Sequence, residues 1–170
     1  MNDRTNKRIP TNAAVRASKA GRGKPRPIPA GEVRNIPATT EGLDGALRAL
    51  TLALEKKGLE PILLDVRELC TFCNYQLVIS GRSDRQVDAI ADGITAGLRD
   101  DGIKIFGSEG ARTGQWALLD YGDFVVHIFL HSVREHYDLE GLWSDAPRVP
   151  IEVPKDARVH AGDGYDASPG

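Results

Sequence analysis

The side chains most able to do chemistry fall in two short stretches: Cys70-Thr71-Phe72-Cys73, and the run from Gln115 to Leu130, QWALLDYGDFVVHIFL. A redox CxxC needs to open a helix beside a strand, where the dipole lowers one thiol pKa. This one precedes a strand-like segment, and no second CxxC or paired histidine completes a zinc set. It therefore reads as two small, half-buried loop residues. In the second stretch His127 alternates with Val125 and Phe129 on one strand face, where acid–base work would require a reachable partner and a substrate pocket. A lone strand histidine is more simply a satisfied structural group. Trp116, close to Asp120 and Asp123, is either a core residue or an interface anchor of the kind aromatics provide. An acidic face bearing a tryptophan would suit a basic protein partner.

Ser80-Gly81-Arg82-Ser83 lies between a strand and a helix start, where free N–H groups favour anions. The same arrangement begins the Gly-Ser motif of nucleotidyltransferases. Those enzymes also need two carboxylates on one strand face to hold Mg²⁺. Asp120 and Asp123 are three apart across a turn, and the next strand offers Val125 and His127 instead. The carboxylate pair is missing, and no catalytic residue, cofactor site or metal site is expected.

The elements that position these residues follow from periodicity. Leu43, Leu47, Leu50 and Leu54 recur at helical spacing until Gly58, predicting a first helix from Thr40. Residues 61–66 and 75–80 predict two strands. Ser83 and Gln86 form a capping box that opens a second helix, with Val87, Ile90, Ala91, Ile94 and Leu98 on its buried face and Gly102 as its stop. Residues 103–106 predict a third strand, and 107–114 a mobile loop. The turn at Asp120-Tyr121-Gly122-Asp123 divides the QWALLDYGDFVVHIFL run into two antiparallel strands, the second apolar on both faces and so internal to the sheet. Ser132 and Glu135 form another capping box, leading toward Trp143. The prediction is an α+β, or mixed α/β, domain: a five-stranded mixed sheet with packed helices over residues 39–146.

Residues 1–38 contain five prolines and no sustained periodicity, predicting a disordered arm; 147–170 reads as a disordered Pro/Gly/Asp tail. Within the arm, residues 1–30 hold eight Lys/Arg against Asp3 alone, a net of +7. The remaining 140 residues carry 14 basic against 23 acidic groups, a net of −9. Such asymmetry suits an arm that touches nucleic acid or an acidic surface. Two cysteines exclude a disulfide framework, and no apolar run approaches the roughly 20 residues of a membrane span. A cytoplasmic protein is expected. The Arg-rich start also has transit-peptide composition, but Pro25, Pro27 and Pro29 spoil an amphipathic helix there.

Three blocks, in order and at matching spacing across about residues 41–145, resemble the ribosomal silencing factor family, RsfS or Iojap-like. They are SGRSDRQV (80–87) with Ile90-Ala91-Asp92, WALLDYGDFVVHIF (116–129), and REHYDLEGLW (134–143). The resemblance implies a nucleotidyltransferase-like fold without the catalytic carboxylates. It also implies binding to the large ribosomal subunit, through universal ribosomal protein number fourteen, at the face where the small subunit docks. Blocking that face would repress translation under nutrient limitation by steric means, without enzyme activity or cofactor. Carried over by position, the family surface falls on Trp116, Asp120, Tyr121, Asp123 and His127, with Arg134, Tyr137, Leu142 and Trp143 in the closing block. A homodimer when free also suits the family. Where relatives often carry Asp-Tyr-Phe, this chain reads Asn74-Tyr75-Gln76, losing a charge and a large apolar group.

The basic arm lies outside the matching blocks and is expected to add binding to ribosomal RNA, since Lys/Arg neutralising phosphates releases counterions. Deleting residues 1–38 should flatten the salt dependence of large-subunit binding, by about 0.7–0.9 in the log–log slope for each phosphate that the arm neutralises. An unchanged slope in salt-titrated binding would deny the arm that role.

Overall fold

The computed structural model describes residues 41–110 and 115–159; the arm, and the last part of the tail, lie outside the described residues. Helix α1 (Leu43–Glu55) is followed by strands β1 (Leu59–Asp65) and β2 (Tyr75–Gly81). Helix α2 (Asp84–Asp100) then leads to β3 (Gly107–Glu109), β4 (Trp116–Asp120) and β5 (Phe124–Leu130). Two short helices, α3 (His131–Tyr137) and α4 (Leu139–Leu142), and a 3-10 turn (Lys155–Ala157) complete the order.

The five strands form one mixed sheet in the order β1-β2-β5-β4-β3. Only β2 and β5 run parallel, joined by the long crossover through α2; the other pairs are antiparallel. Those two central strands are buried on both faces, apart from the last residue of β5. Buried on both sides, they need no apolar–polar alternation.

Helices α1 and α2 cover one face. Ala46, Ala49, Leu50 and Ala53 of α1 and Val87, Ile90, Ile94 and Leu98 of α2 meet Leu77, Ile79, Val126 and Ile128 of the sheet. The two glycines of α2, which weaken it by up to ~1 kcal/mol each relative to alanine, have a packing reason. A Cβ at Gly97 would stand 2.5 Å from Leu52 Cδ2, and one at Gly93 3.0 Å from Lys56 Cε, so α1 lies close along that side. The Ser83 cap forms, its Oγ accepting the Gln86 N–H at 3.1 Å, while Gln86 Oε1 reaches past the cap's own N–H to that of Arg82.

Four expectations need correction. The third strand is not 103–106. Ile103 N–H is held by Leu98 O at 2.8 Å, closing α2 behind Gly102, and pairing with β4 begins only at Gly107. Part of the predicted loop is therefore strand, while 111–114 lie outside the described residues. The capping box at Ser132 does not form, because β5 runs directly into α3 and places Ser132 inside the first turn, behind Leu130. Finally, the chain does not leave the domain at 147. Pro147 O accepts the Asp65 N–H, Val149 N–H reaches Leu63 O, and Arg148 bridges Leu64, so this segment covers the free edge of β1. Val159 N–H ends on Glu60 Oε1 at 2.6 Å.

Gly97→Val should lose about 1–3 kcal/mol by overpacking against Leu52, with the unfolding midpoint in urea as the measurement. An unchanged midpoint would show that Leu52 yields freely.

Candidate functional site

Pairing register sorts the chemistry-bearing residues onto the face opposite α1 and α2. Trp116, Leu118 and Asp120 of β4 stand opposite Phe129, His127 and Val125 of β5, which in turn neighbour Ser80, Val78 and Gln76 of β2. This face is also buried. Val66, Cys70, Cys73, Leu139, Trp143 and Ala146 pack on it with Trp116, Leu118 and Phe129, so α3, α4 and the β1–β2 loop form a second, thinner cover.

Trp116 holds that cover down. Its ring stacks on Phe129 at 4.9 Å between centroids and lies 4.5 Å from Tyr137 of α3. Its indole N–H donates to His127 Nδ1 at 3.2 Å, which leaves the neutral imidazole carrying its proton on Nε2. His127 is completely buried, and loss of hydration pushes its pKa down to about 3. The histidine is therefore neutral at physiological pH.

Arg134 is buried as well. Its guanidinium pairs with Glu140 and donates from Nη1 to Glu60 O at 2.7 Å and to Ser80 Oγ at 2.9 Å. Glu60 sits at a register break in β1 with φ 47°, which is what brings that carbonyl to the arginine. A cleft of about 490 Å³ beside this clamp is lined by Glu60, Ile62, His131, Ser132 and Glu135. Burial, then the charge of Arg134, lowers the pKa of His131 there.

Of the nine residues expected at a partner surface, Trp116, Tyr121, His127, Arg134 and Trp143 are core residues. They present almost no side-chain area, because both faces of the sheet are covered. Tyr121 lies on the other face, stacked on Phe124 at 4.9 Å. Tyr137 and Leu142 are half-buried, Asp120 is half-buried and Asp123 exposed. Asp120 does turn work: its Oδ1 accepts the Gly122 N–H at 2.9 Å, and Gly122 takes φ 84° in the bend that follows.

Two residues are not singled out by the sequence. Phe106, 72% exposed, and Phe72, 49% exposed, are the large hydrophobic side chains left in water among the described residues. Phe106 packs on the 120–123 turn, and the loop that carries Phe72 is tied to that turn through Asn74. Phe106 N–H donates to Asp120 O at 2.8 Å and its ring covers Gly122, where a Cβ would come within 2.8 Å. Phe72 precedes Asn74, whose N–H donates to Asp123 O at 2.7 Å. The exposed ring of Phe106 thus lies at the turn bearing Asp120 and Asp123, at the end of the sheet to which the loop of Phe72 is also tied. Phe106 is hidden in the sequence because the run Ile103-Lys104-Ile105-Phe106 scans as a strand.

The N-terminus of α2, a candidate anion site by sequence, has its Arg82 N–H and Gln86 N–H occupied by the Gln86 and Ser83 side chains. Among the described residues no three His, Cys, Asp or Glu side chains come together as a metal-ligand set, and no helix is long and apolar enough to cross a membrane.

Residues 39–168 match the family model described as ribosomal silencing factor during starvation. The chain belongs to that family. A ribosomal silencing factor from Chromobacterium violaceum is 44% identical over 87 residues, 51% of this chain and 71% of the relative. One from Bacillus subtilis is 38% identical over 107 residues, 62% of this chain and 91% of the relative. The chloroplastic protein Iojap of Zea mays is 36% identical over 121 residues, 69% of this chain and 50% of that protein. A crystal structure of a Chromobacterium violaceum protein superposes with a TM-score of 0.60 at 35% identity, covering 74% of this chain and 98% of that one. The five-stranded mixed sheet with its helices is thus a fold of this family.

His127 makes stability pH-dependent. Its folded pKa is depressed below the unfolded value of about 6.5, so only the unfolded chain takes up the proton between about pH 6.5 and 3. Stability should fall on acidification through that window, by up to about 1.4 kcal/mol per pH unit from this group. Urea unfolding at pH 7 and pH 5 should show a smaller pH-dependent loss for His127→Gln than for wild type; equal losses would mean the imidazole gains a proton without unfolding.

Proposed function

We propose that this chain binds the large ribosomal subunit at its intersubunit face, through universal ribosomal protein number fourteen, and prevents joining of the small subunit. Its action is steric rather than enzymatic: a folded body on that face leaves no room for the partner subunit, and translation is repressed when nutrients are scarce. The observation that supports this reading is the sheet end where exposed Phe106 packs on the turn bearing Asp120 and Asp123, with the loop of exposed Phe72 tied to that turn through Asn74, on a chain of this family. Exposed aromatics rimmed by carboxylates match the anatomy of a protein interface for a basic partner: apolar contact supplies affinity, and the charges steer approach and fix register. The buried Trp116, His127 and Trp143 contribute indirectly, as the packed base that holds this end in shape.

Co-sedimentation with isolated large and small subunits separates surface from base. Wild type should pellet with the large subunit alone and reduce the yield of joined ribosomes. Asp123→Lys and Phe106→Ser, both at exposed positions, should each weaken binding about tenfold or more, a loss of about 1.4 kcal/mol, while keeping the wild-type unfolding midpoint. Binding to both subunits alike, or full affinity in both variants, would sink this assignment.

A further inference from the structure

The β1–β2 loop folds Cys70 back on itself. Leu69 and Cys70 both donate their N–H groups to Val66 O, at 3.0 and 2.8 Å, and the two sulfurs come to 3.7 Å apart. Cys70 Sγ accepts the Phe72 N–H at 3.3 Å and the Cys73 N–H, and shares a hydrogen bond with the Cys73 sulfur in which either thiol can donate. Donors converging on a sulfur favour its negative form, and the hydrogen bond with Cys73, followed by those two amides, brings the Cys70 pKa down to about 6. Cys73 is the opposite case. It lies in the second core beneath the sheet, and has Gln76 Nε2 at 3.8 Å and the charge of Asp120 nearby; its pKa is pushed up, first by the Cys70 pairing and then by burial. The two thiols are thus unequal: one is poised as a nucleophile and the other is a protonated reserve within reach. Both are nearly covered, at 7% and 5% exposure, under a loop tip formed by exposed Thr71 and Phe72. That cover disfavours exchange with a bulky disulfide and favours a small oxidant.

We propose that Cys70 and Cys73 form a peroxide-responsive dithiol, in which Cys70 is the attacking sulfur and Cys73 resolves it into an intramolecular disulfide. The Cys70 thiolate attacks one oxygen of hydrogen peroxide; the O–O bond breaks, hydroxide leaves and becomes water, and Cys70 becomes a sulfenic acid, oxidised by two electrons. The Cys73 sulfur then attacks Cys70 Sγ, the S–O bond breaks, and the departing hydroxide takes up the Cys73 proton as a second water. Two thiols and one peroxide give one disulfide and two waters. The sulfurs close from 3.7 Å to about 2.05 Å, a movement confined to the loop that carries Phe72 and ends on Asn74.

The test uses the full chain. Native protein treated with hydrogen peroxide should lose two hydrogens by intact mass, with Cys70 linked to Cys73 in the peptide map and full reversal by dithiothreitol. Under peroxide alone, Cys73→Ser should lose its free Cys70 thiol to oxidation about tenfold or more faster than Cys70→Ser loses its Cys73 thiol, read by intact mass after quenching, in proportion to thiolate character. Three results would overturn the proposal: both thiols surviving a peroxide dose that oxidises the urea-unfolded chain, a disulfide joining two chains, or equal oxidation rates of the two single variants. None of these readouts involves a ribosome, so the outcome is independent of the function proposed above.

Discussion

The Arg134 guanidinium joins four elements, two of them more than fifty residues away in the chain. From α3 it reaches the Glu60 carbonyl at the break in β1, the Ser80 hydroxyl at the end of β2, and the Glu140 carboxylate of α4. A guanidinium taken out of water must have its donors satisfied, since an unpaired buried charge is strongly destabilising. Satisfying it here requires β1 to bulge, α3 to follow β5 without a loop, and α4 to fold back against α3. Those three conditions together make the cover over the second face of the sheet. Without that cover Trp116, Phe129 and Trp143 would lie in solvent.

Covering both faces changes what the polar residues of the sheet can do. Gln76, Ser80 and His127 are fully buried, and each is held by a neighbour: Cys73 for Gln76, Arg134 for Ser80, Trp116 for His127. They serve as internal fasteners. Side chains left in water stand instead at the ends of the strands, where turns expose them. Phe72, Phe106 and Asp123 occupy one such end, held by main-chain hydrogen bonds among the β1–β2 loop, the 120–123 turn and the entry to β3.

The departure at residues 74–76 also takes on structural meaning. Gln76 points into the second core beside Cys73, so a polar amide and a thiol occupy space that a large apolar side chain would otherwise fill. Asn74 spends its side-chain amide on Glu41 O at 3.0 Å, fastening the entry to α1 onto this loop. The loop is therefore tied to both layers of the fold as well as to the turn bearing Asp123.

Local chemistry in the sequence determined the first two helices, four of the strands, the 120–123 turn and the Ser83 cap, because each depends on dihedral preferences and periodicity within a few residues. The three family blocks carried identity for the same reason: they are contiguous. Burial is a different kind of quantity, decided by which distant segment covers a residue. Trp116 is equally suited to core and interface until α3 lies over it, and Arg134 suits a surface until Glu60, Ser80 and Glu140 surround it. The third strand is displaced by the hydrogen bond that closes α2, and residues 147–149 are kept in the domain by an unpaired edge of β1 more than eighty residues earlier. Only tertiary structure could decide these points, since no stretch of sequence contains the neighbours that will exclude its water.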